Sequence, residues 1–312
     1  MYTTTKSMDV VYHLPFPEEV CSNIFNYACK SPHHGLLSKR LKIKLKHPGL
    51  NLSPFTEDLY DNDDEIIELD ADAIVYFPVN ISVHLSYYTC FRNLTFIKLN
   101  DTKVYGNIEE LGVLPYLTDI YLRDISMIHG DIKHLGHMTN LSRVSFNGTG
   151  VSGNVKHLST LLYLTHINLY DTYVSGDIGD LSTLLHLKVI YMRNTDITGD
   201  IADLISLRNL LTIDFRNTHV GGDIYHLSKL PKLQIIYLSG SQVEGNIMHL
   251  KSLQMLGDIS FTNTRITGDI THLKYLYALK EMYLEWTAVT GDIIAFNEYR
   301  KNKWVLPCFI SM

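Results

Sequence analysis

A short motif recurs at an almost constant interval through much of this 312-residue chain. It consists of Gly, then Asp or Asn, then Ile or Val, and its glycines lie 23 residues apart except for the first pair, which are 24 apart. The glycines are Gly106, Gly130, Gly153, Gly176, Gly199, Gly222, Gly245, Gly268 and Gly291. A single unit of this length cannot bury its apolar residues alone, but stacked units share a continuous core. The period therefore predicts a repeat solenoid.

Aligned on these glycines, the units follow the pattern L-x-x-L-x-x-I-x-L-x-x-T-x-V-x-G-D-I-x-x-L. One unit fits it at every position, through Leu207, Leu210, Ile213, Phe215, Thr218, Val220, Gly222, Ile224 and Leu227. The I-x-L segment predicts a short strand whose apolar residues point inward, while the residues between and beside them point outward. Neighbouring strands of a parallel sheet lie about 4.8 Å apart, so nine units predict a sheet roughly 40 Å across.

This pattern resembles the leucine-rich repeat family over roughly residues 91–296. The G-x-I element after the strand is similar to that of the plant-type subclass, although threonine stands where that family usually has asparagine. The resemblance implies an α/β leucine-rich-repeat solenoid of about nine 23-residue coils, with a parallel concave sheet and irregular terminal caps. Residues 1–90 are expected to form an N-terminal cap and residues 297–312 a C-terminal cap. The overall repeat style is also similar to proteins of microalgae and of the large DNA viruses that infect them.

Threonines form a column just after the predicted strand. They are Thr102, Thr149, Thr172, Thr195, Thr218, Thr264 and Thr287. A hydroxyl at this position can bond the backbone of the turn between coils, so we expect these side chains to face inward. The second unit carries one extra residue and has Ile125 instead of threonine, which predicts a local bulge.

The Asp or Asn after each motif glycine is typical of a helix N-cap. These residues are Asn107, Asp131, Asn154, Asp177, Asp200, Asp223, Asn246, Asp269 and Asp292. Three residues later, His226, His249 and His272 stand at the same position of consecutive units, and a metal or pH-sensing ladder is the alternative. Metal sites need converging ligands, whereas these histidines form a row with one residue per coil. We therefore favour capping and expect no metal and no cofactor.

Composition and charge narrow the functional classes. A net charge of −6 argues against a dedicated nucleic-acid binder. No apolar run reaches the roughly 18 residues of a spanning helix, and the N-terminus lacks the pattern of a secretory signal, so we expect no membrane association. The cysteines, Cys21, Cys29, Cys90 and Cys308, are scattered, which suits a reducing compartment. The expected location is cytoplasmic, or within a virion for a viral structural protein.

The two ends depart from the repeat. Residues 12–30, which include the segment L-P-F-P-E-E, resemble an F-box, the helical segment that docks an adaptor of a ubiquitin ligase, although a plain amphipathic capping helix is the favoured interpretation. Residues 40–46 alternate basic and apolar side chains, as in a half-buried strand with a basic outer face, and contact with phosphate is the minority alternative. At the other end, Phe296, Tyr299 and Trp304 are expected to close the core.

The outward strand positions vary from unit to unit and are the candidate binding residues. Tyrosine, arginine and tryptophan most often carry binding energy at interfaces. The predicted partner-binding residues are Tyr121, Arg123, Tyr170, Tyr191, Arg193, Arg216, Tyr237, Tyr283 and Trp286. We expect Tyr191, Arg193 and Arg216 to cluster at the centre of the concave face. The alternative is that tyrosine and arginine merely suit exposed strand positions.

No catalytic motif accompanies the repeats: no P-loop, nucleophile elbow or HExxH sequence is present. We therefore expect a non-catalytic scaffold that binds a partner protein through the concave Tyr/Arg face. Two alternatives remain open: an F-box-like substrate adaptor of a ubiquitin ligase, and a structural component of a multi-subunit assembly such as a virion. Ice binding through the threonine column is disfavoured because those side chains are predicted to point inward.

Overall fold

The computed structural model describes residues 82, 84–90, 92–303 and 305–312. Each coil contributes one strand to each of two parallel sheets and continues into a short 3₁₀ helix. The ten-stranded sheet contains β1 Phe96–Lys98, β3 Asp119–Tyr121, β5 Arg143–Ser145, β7 His166–Asn168, β9 Val189–Tyr191, β11 Thr212–Asp214, β13 Ile235–Tyr237, β15 Asp258–Ser260, β17 Glu281–Tyr283 and β19 Phe309–Ser311. The predicted α/β solenoid with a parallel sheet is confirmed.

A second, nine-stranded sheet runs beside the first. It contains β2 Gly106–Asn107, β4 Ile128–Asp131, β6 Gly150–Asn154, β8 Tyr173–Asp177, β10 Asp196–Asp200, β12 His219–Asp223, β14 Gln242–Asn246, β16 Arg265–Asp269 and β18 Ala288–Thr290. This sheet was not predicted from the sequence. Its signal was present in the alternation T-x-V-x-G, because Val174 and Val220 are buried while their neighbours in the strand face outward.

The helices lie where the chain returns towards the ten-stranded sheet. The 3₁₀ helices are Leu85–Cys90, Ile108–Val113, Ile132–Leu135, Val155–Leu158, Ile178–Leu181, Ile201–Ser206, Ile224–Lys229, Ile247–Ser252 and Ile270–Leu273, and the α-helix α1 is Ile293–Lys301. All nine predicted Asp and Asn N-caps are confirmed, since each side chain accepts a hydrogen bond from the backbone N–H two residues later. Asn107 also forms a reciprocal capping box with Glu110.

One apolar core runs the length of the solenoid. In the ten-stranded sheet, the middle residue of each strand from β1 to β17 is buried, as in Ile190, Ile213 and Ile236. These residues lie in register from one strand to the next, because Ile190 pairs with Ile213 and Ile213 pairs with Ile236. The prediction that I-x-L places its apolar residues inward is therefore confirmed.

The threonine column faces inward as predicted. Thr149, Thr172, Thr195, Thr218 and Thr264 are buried. Each donates its hydroxyl proton to the carbonyl three residues earlier, as Thr218 does to Phe215 O at 2.7 Å. The extra residue of the second unit is accommodated in the turn between the sheets, where Ile128 N–H bonds Ile125 O at 3.0 Å. The strand β4 keeps its register with β6, so the local bulge expected for this unit lies in the turn and not in a strand.

Replacing Thr218 by valine is expected to lower the free energy of unfolding by about 1.5 kcal/mol, because Phe215 O loses a buried hydrogen bond. Urea titration followed by circular dichroism measures the change. Thr198→Val is the matched control, since Thr198 is exposed on the second sheet and its hydroxyl makes a longer bond of 3.2 Å to Gly176 O. Equal losses in both variants would contradict a structural role for the buried column.

The C-terminal end closes the core differently from the prediction. Phe296 is buried as expected, Tyr299 is half-buried against the ring of Tyr275, and Trp304 lies outside the described residues. Two features were missed: the added strand β19 and the side chain of Arg300, which is 1% exposed beneath α1. The F-box-like segment 12–30 and the basic segment 40–46 lie outside the described residues.

Candidate binding site

The outward surface of the ten-stranded sheet, here called the ten-stranded face, carries the predicted binding residues. The third residue of a strand points outward, and so does the residue two places later, since the residue between them is buried. Tyr191 is the third residue of β9, and Arg193 is the residue two places after it, so both side chains point outward. Parallel pairing places Tyr191 between Asn168 of β7 and Asp214 of β11. Residues from different coils therefore form continuous columns across this face.

A pocket of about 220 Å³ lies at the middle of these columns. Its lining residues are Asn168, Tyr170, Tyr191, Arg193, Asp214, Arg216 and Tyr237. Five of the predicted binding residues are among them, including Tyr191, Arg193 and Arg216, which were expected to cluster. Asn168 and Asp214 were not predicted as binding residues.

Two arginine–tyrosine stacks are among the residues that line the pocket. The guanidinium carbon of Arg193 lies 4.4 Å from the ring centroid of Tyr170, and that of Arg216 lies 4.7 Å from the ring centroid of Tyr237. Such contacts hold a guanidinium by its attraction to the ring face. Both arginines and both rings therefore present an ordered surface, so little side-chain entropy remains to be lost when something binds.

Carboxylates fix the same two arginines. Arg216 donates from Nε and Nη2 to the two oxygens of Asp214, at 2.8 and 2.6 Å. These hydrogen bonds raise the pKa of Arg216 above its ordinary value, so the group stays charged. Arg193 donates from Nη2 to Asp171 at 3.2 Å. Each guanidinium charge is thus compensated within the site itself.

Two polar atoms of the pocket have no partner. Nε of Arg193 and Oδ1 of Asn168 are buried, and neither makes a hydrogen bond within the described part of the chain. Leaving a buried donor or acceptor unpaired costs about 1–3 kcal/mol, so such atoms are uncommon without a role. Arg193 Nε is a donor and Asn168 Oδ1 an acceptor.

A ladder of hydrogen-bonded polar side chains directly follows three of the pocket residues in the sequence. Asn194 donates to Asp171 at 2.6 Å, and Asn217 donates to Asn194 at 2.8 Å. All three have φ between 54° and 55°, a conformation that asparagine and aspartate tolerate better than most residues. Trp286 holds the same place in its own coil with φ 60° and is 85% exposed. The ladder therefore gives way to an exposed ring at the C-terminal end.

The remaining predicted residues lie away from the pocket. Arg123 pairs with Asp101 and Asp124 at 3.2 and 3.3 Å, and Tyr121 packs against Phe96 with ring centroids 5.4 Å apart. Tyr283 lies towards the other end, where its hydroxyl donates to Glu281 at 2.9 Å. The nine residues thus share one face but form a central group and two outlying groups.

His226, His249 and His272 lie in the 3₁₀ helices of three consecutive coils. Among the residues that the structure describes, no group of three or more His, Cys, Asp or Glu side chains is arranged to hold a metal ion. His226 and His249 pack edge-on against the ring of Tyr225, with ring centroids 5.5 and 5.2 Å away.

Among the residues that the structure describes, no helix has the length and apolar character needed to cross a membrane.

Comparison with solved structures identifies the architecture. The leucine-rich-repeat ectodomain of the Arabidopsis receptor kinase HAESA, solved in complex with an N-terminally extended IDA peptide hormone ligand, aligns with a TM-score of 0.63 and 20% identity over 70% of this chain. The plant peptide hormone receptor RGFR1, solved with RGF2, aligns with a TM-score of 0.60 and 21% identity over 67% of this chain. The chain has the leucine-rich-repeat fold. No protein-family model and no curated protein matches the sequence.

The leucine-rich-repeat chain spans only part of these receptors: 39% of the HAESA chain and 35% of the RGFR1 chain. A plant ice-binding protein also aligns, with a TM-score of 0.52 and 22% identity over 60% of this chain and 62% of its own. At these identities the likeness concerns the fold alone. Five threonines of the column are buried, and Thr102 and Thr287 at its two ends are half-buried; all seven donate to a carbonyl of their own coil, so the column does not form an exposed threonine surface.

Proposed function

We propose that this chain is a non-catalytic interaction scaffold that holds a partner polypeptide against the ten-stranded face. The central pocket between β7 and β13 is the centre of the contact. The observation that carries this proposal is the convergence of two tyrosine-stacked arginines and the ring of Tyr191 in one pocket.

The chemistry of the pocket favours a polypeptide over a strongly charged ligand. Because Asp171 and Asp214 compensate Arg193 and Arg216, the pocket has little net charge to attract an anion. Tyrosine rings offer apolar area together with a polar hydroxyl, which suits the mixed surface of a peptide. Two of the similar receptors were solved with a bound peptide hormone, which supports the same class of partner.

The double variant Tyr191→Ala/Arg193→Ala is expected to lose about 2 kcal/mol of partner affinity, roughly thirtyfold, because it removes one pocket ring and one stacked guanidinium. The experiment is affinity capture of full-length protein from its native source, followed by calorimetric titration of each captured protein. The melting temperature is expected to change little, since both side chains lie on the surface of the sheet.

The matched control is Tyr173→Ala/Arg265→Ala. Both residues are exposed in the second sheet, so the control removes the same two residue types from another surface. Partners that bind the control at full strength but not the pocket variant support the proposal. Equal binding by the wild-type chain and the pocket variant contradicts it.

The same capture separates the two alternative functions. Recovery of ubiquitin-ligase subunits, lost on deletion of residues 1–30 without loss of the folded solenoid, would favour the F-box-like adaptor. Recovery of one abundant structural protein at fixed stoichiometry would favour a component of a larger assembly. In either case, the protein that binds the solenoid is expected to bind it on the ten-stranded face.

A further inference from the structure

Arginines along the first six coils of the ten-stranded face all have acidic partners. The pairs are Arg123 with Asp101 and Asp124, Arg143 with Asp119, Arg193 with Asp171, and Arg216 with Asp214. The donor–acceptor distances run from 2.6 to 3.3 Å. This part of the face is therefore close to neutral, and long-range attraction of a charged partner has little source here.

The C-terminal end of the same face has a different balance. Three carboxylates lie there. Asp258 is the first residue of β15, Glu281 is the first residue of β17, and Glu285 follows β17 by two residues. Within the described residues, none of the three forms a salt bridge. Burial raises the pKa of Asp258, and the nearby charge of Glu281 raises it further, while the charge of Lys280 acts in the opposite direction. Negative charge is thus concentrated where no arginine compensates it.

The carboxylates differ in how they are held. Glu285 accepts hydrogen bonds from Thr262 Oγ1 at 2.7 Å and from Ser311 Oγ, and these bonds lower its pKa. Glu281 accepts from the hydroxyl of Tyr283 at 2.9 Å. Neutral hydroxyls orient both side chains without cancelling their charge.

Aromatic rings lie among these carboxylates. The ring centroids of Tyr283 and Phe309 are 5.6 Å apart, and Phe309 is 57% exposed although it belongs to a strand. Trp286 follows Glu285 directly and is 85% exposed. Its φ of 60° is costly for a bulky side chain, by about 1–3 kcal/mol, and such strain is concentrated at functional positions.

We propose that this C-terminal patch, formed by Asp258, Glu281, Tyr283, Glu285 and Phe309, binds a lysine or arginine side chain of the partner polypeptide. Carboxylates and aromatic faces both attract cations, and a partner cation supplies the charge that the patch lacks. This inference rests on the proposed function, because it takes the partner to lie along the ten-stranded face. An acidic partner segment is repelled at this end.

The geometry of the sheet also sets a spacing. From β9, which carries Tyr191 of the pocket, to β17 there are four strand steps. At about 4.8 Å per step this is about 19 Å, which an extended chain covers in about six residues. The partner segment is therefore expected to have its basic residue about six positions from the residue seated in the pocket.

A random peptide library displayed on phage, selected against the full-length chain, tests this assignment. Selected peptides are expected to contain Lys or Arg about six positions from the residue in the pocket, and to lose binding with Tyr191→Ala/Arg193→Ala. The variant Asp258→Asn/Glu281→Gln/Glu285→Gln is expected to bind them about tenfold more weakly and with much less dependence on salt. These amide substitutions preserve side-chain shape and hydrogen-bond acceptance.

The matched control, Asp196→Asn/Asp203→Asn/Glu244→Gln, removes the same formal charge from exposed positions outside this face. Full affinity and full salt dependence in the control, with loss in the patch variant, support the cation site. Selected peptides that depend on Tyr191 but show no basic enrichment, or that bind the patch variant normally, overturn this inference and leave the proposed function standing. Failure to select any peptide that depends on the pocket overturns both.

Discussion

Replacing Arg300 by alanine is expected to lower the free energy of unfolding by about 4 kcal/mol. The side chain is buried, and it donates from Nη1 to Leu276 O at 2.7 Å and from Nη2 to Leu279 O at 2.6 Å. A longer bond of 3.3 Å joins Nε to Leu306 O. Burial lowers the pKa of Arg300, and no carboxylate within the described residues forms a salt bridge with it. Three backbone carbonyls therefore depend on one guanidinium that sits beneath the C-terminal helix.

The loss is expected to begin at the C-terminal end and not uniformly. Hydrogen exchange should show β17 and β19 opening first, because coils of a solenoid are stabilised by their neighbours and an end coil has only one. Lys301→Ala is the control, since Lys301 is exposed in the same helix. An unchanged unfolding midpoint in Arg300→Ala, or faster exchange spread evenly over all coils, would contradict a capping role.

Gly222→Ala is expected to cost about 3 kcal/mol, because it combines backbone strain with disruption of a helix cap. Gly222 has φ 103°, where a side chain is strained whatever the space around it. A Cβ at this position also comes within 2.1 Å of Asp200 Oδ1, which accepts the capping bond from Ala202 N–H at 2.8 Å. The alanine therefore displaces the carboxylate that caps the preceding coil.

The adjacent residue supplies an unusually close control. Gly221 precedes Gly222 in β12, and a Cβ there meets nothing nearer than Gln242 O at 3.4 Å. Gly221→Ala is expected to change the free energy of unfolding by less than about 0.5 kcal/mol. Chemical denaturation of both variants makes the comparison. Similar losses at the two positions would mean that the motif glycine is not required for the contact between coils.

The inward columns of the ten-stranded sheet were predictable because a strict period fixes which residues face the core. Ile213 in the strand and Thr218 just after it are two such residues. The same period also placed the N-cap residue Asp200 correctly. The second sheet was missed because its strands contain the motif glycine, which reads as a turn residue in a single sequence. Arg300 was missed for a related reason: an arginine in the last turn of a helix is usually exposed, and only the tertiary contact reveals its carbonyl partners.

The candidate site was predictable as a set of columns but not as an arrangement of side chains. Arg193 and Asp171 lie 22 residues apart, so the period places them on adjacent coils in neighbouring columns. Arg216 and Asp214 lie on the same strand edge and face the same way, yet their bidentate pairing depends on side-chain torsions that the period does not specify. The unpaired atoms of Arg193 and Asn168 likewise follow from packing and not from residue type.

The in-register pairing of both sheets has a consequence for how such a chain can change over generations. Because Ile190, Ile213 and Ile236 contact equivalent neighbours, duplication or loss of one 23-residue segment leaves an apolar residue facing an apolar residue at each remaining buried junction. Each event lengthens or shortens the ten-stranded face by about 4.8 Å, so the length of the face changes by one strand at a time. Arg300 and α1 have no equivalent in the interior coils, which confines such events to the segments before them.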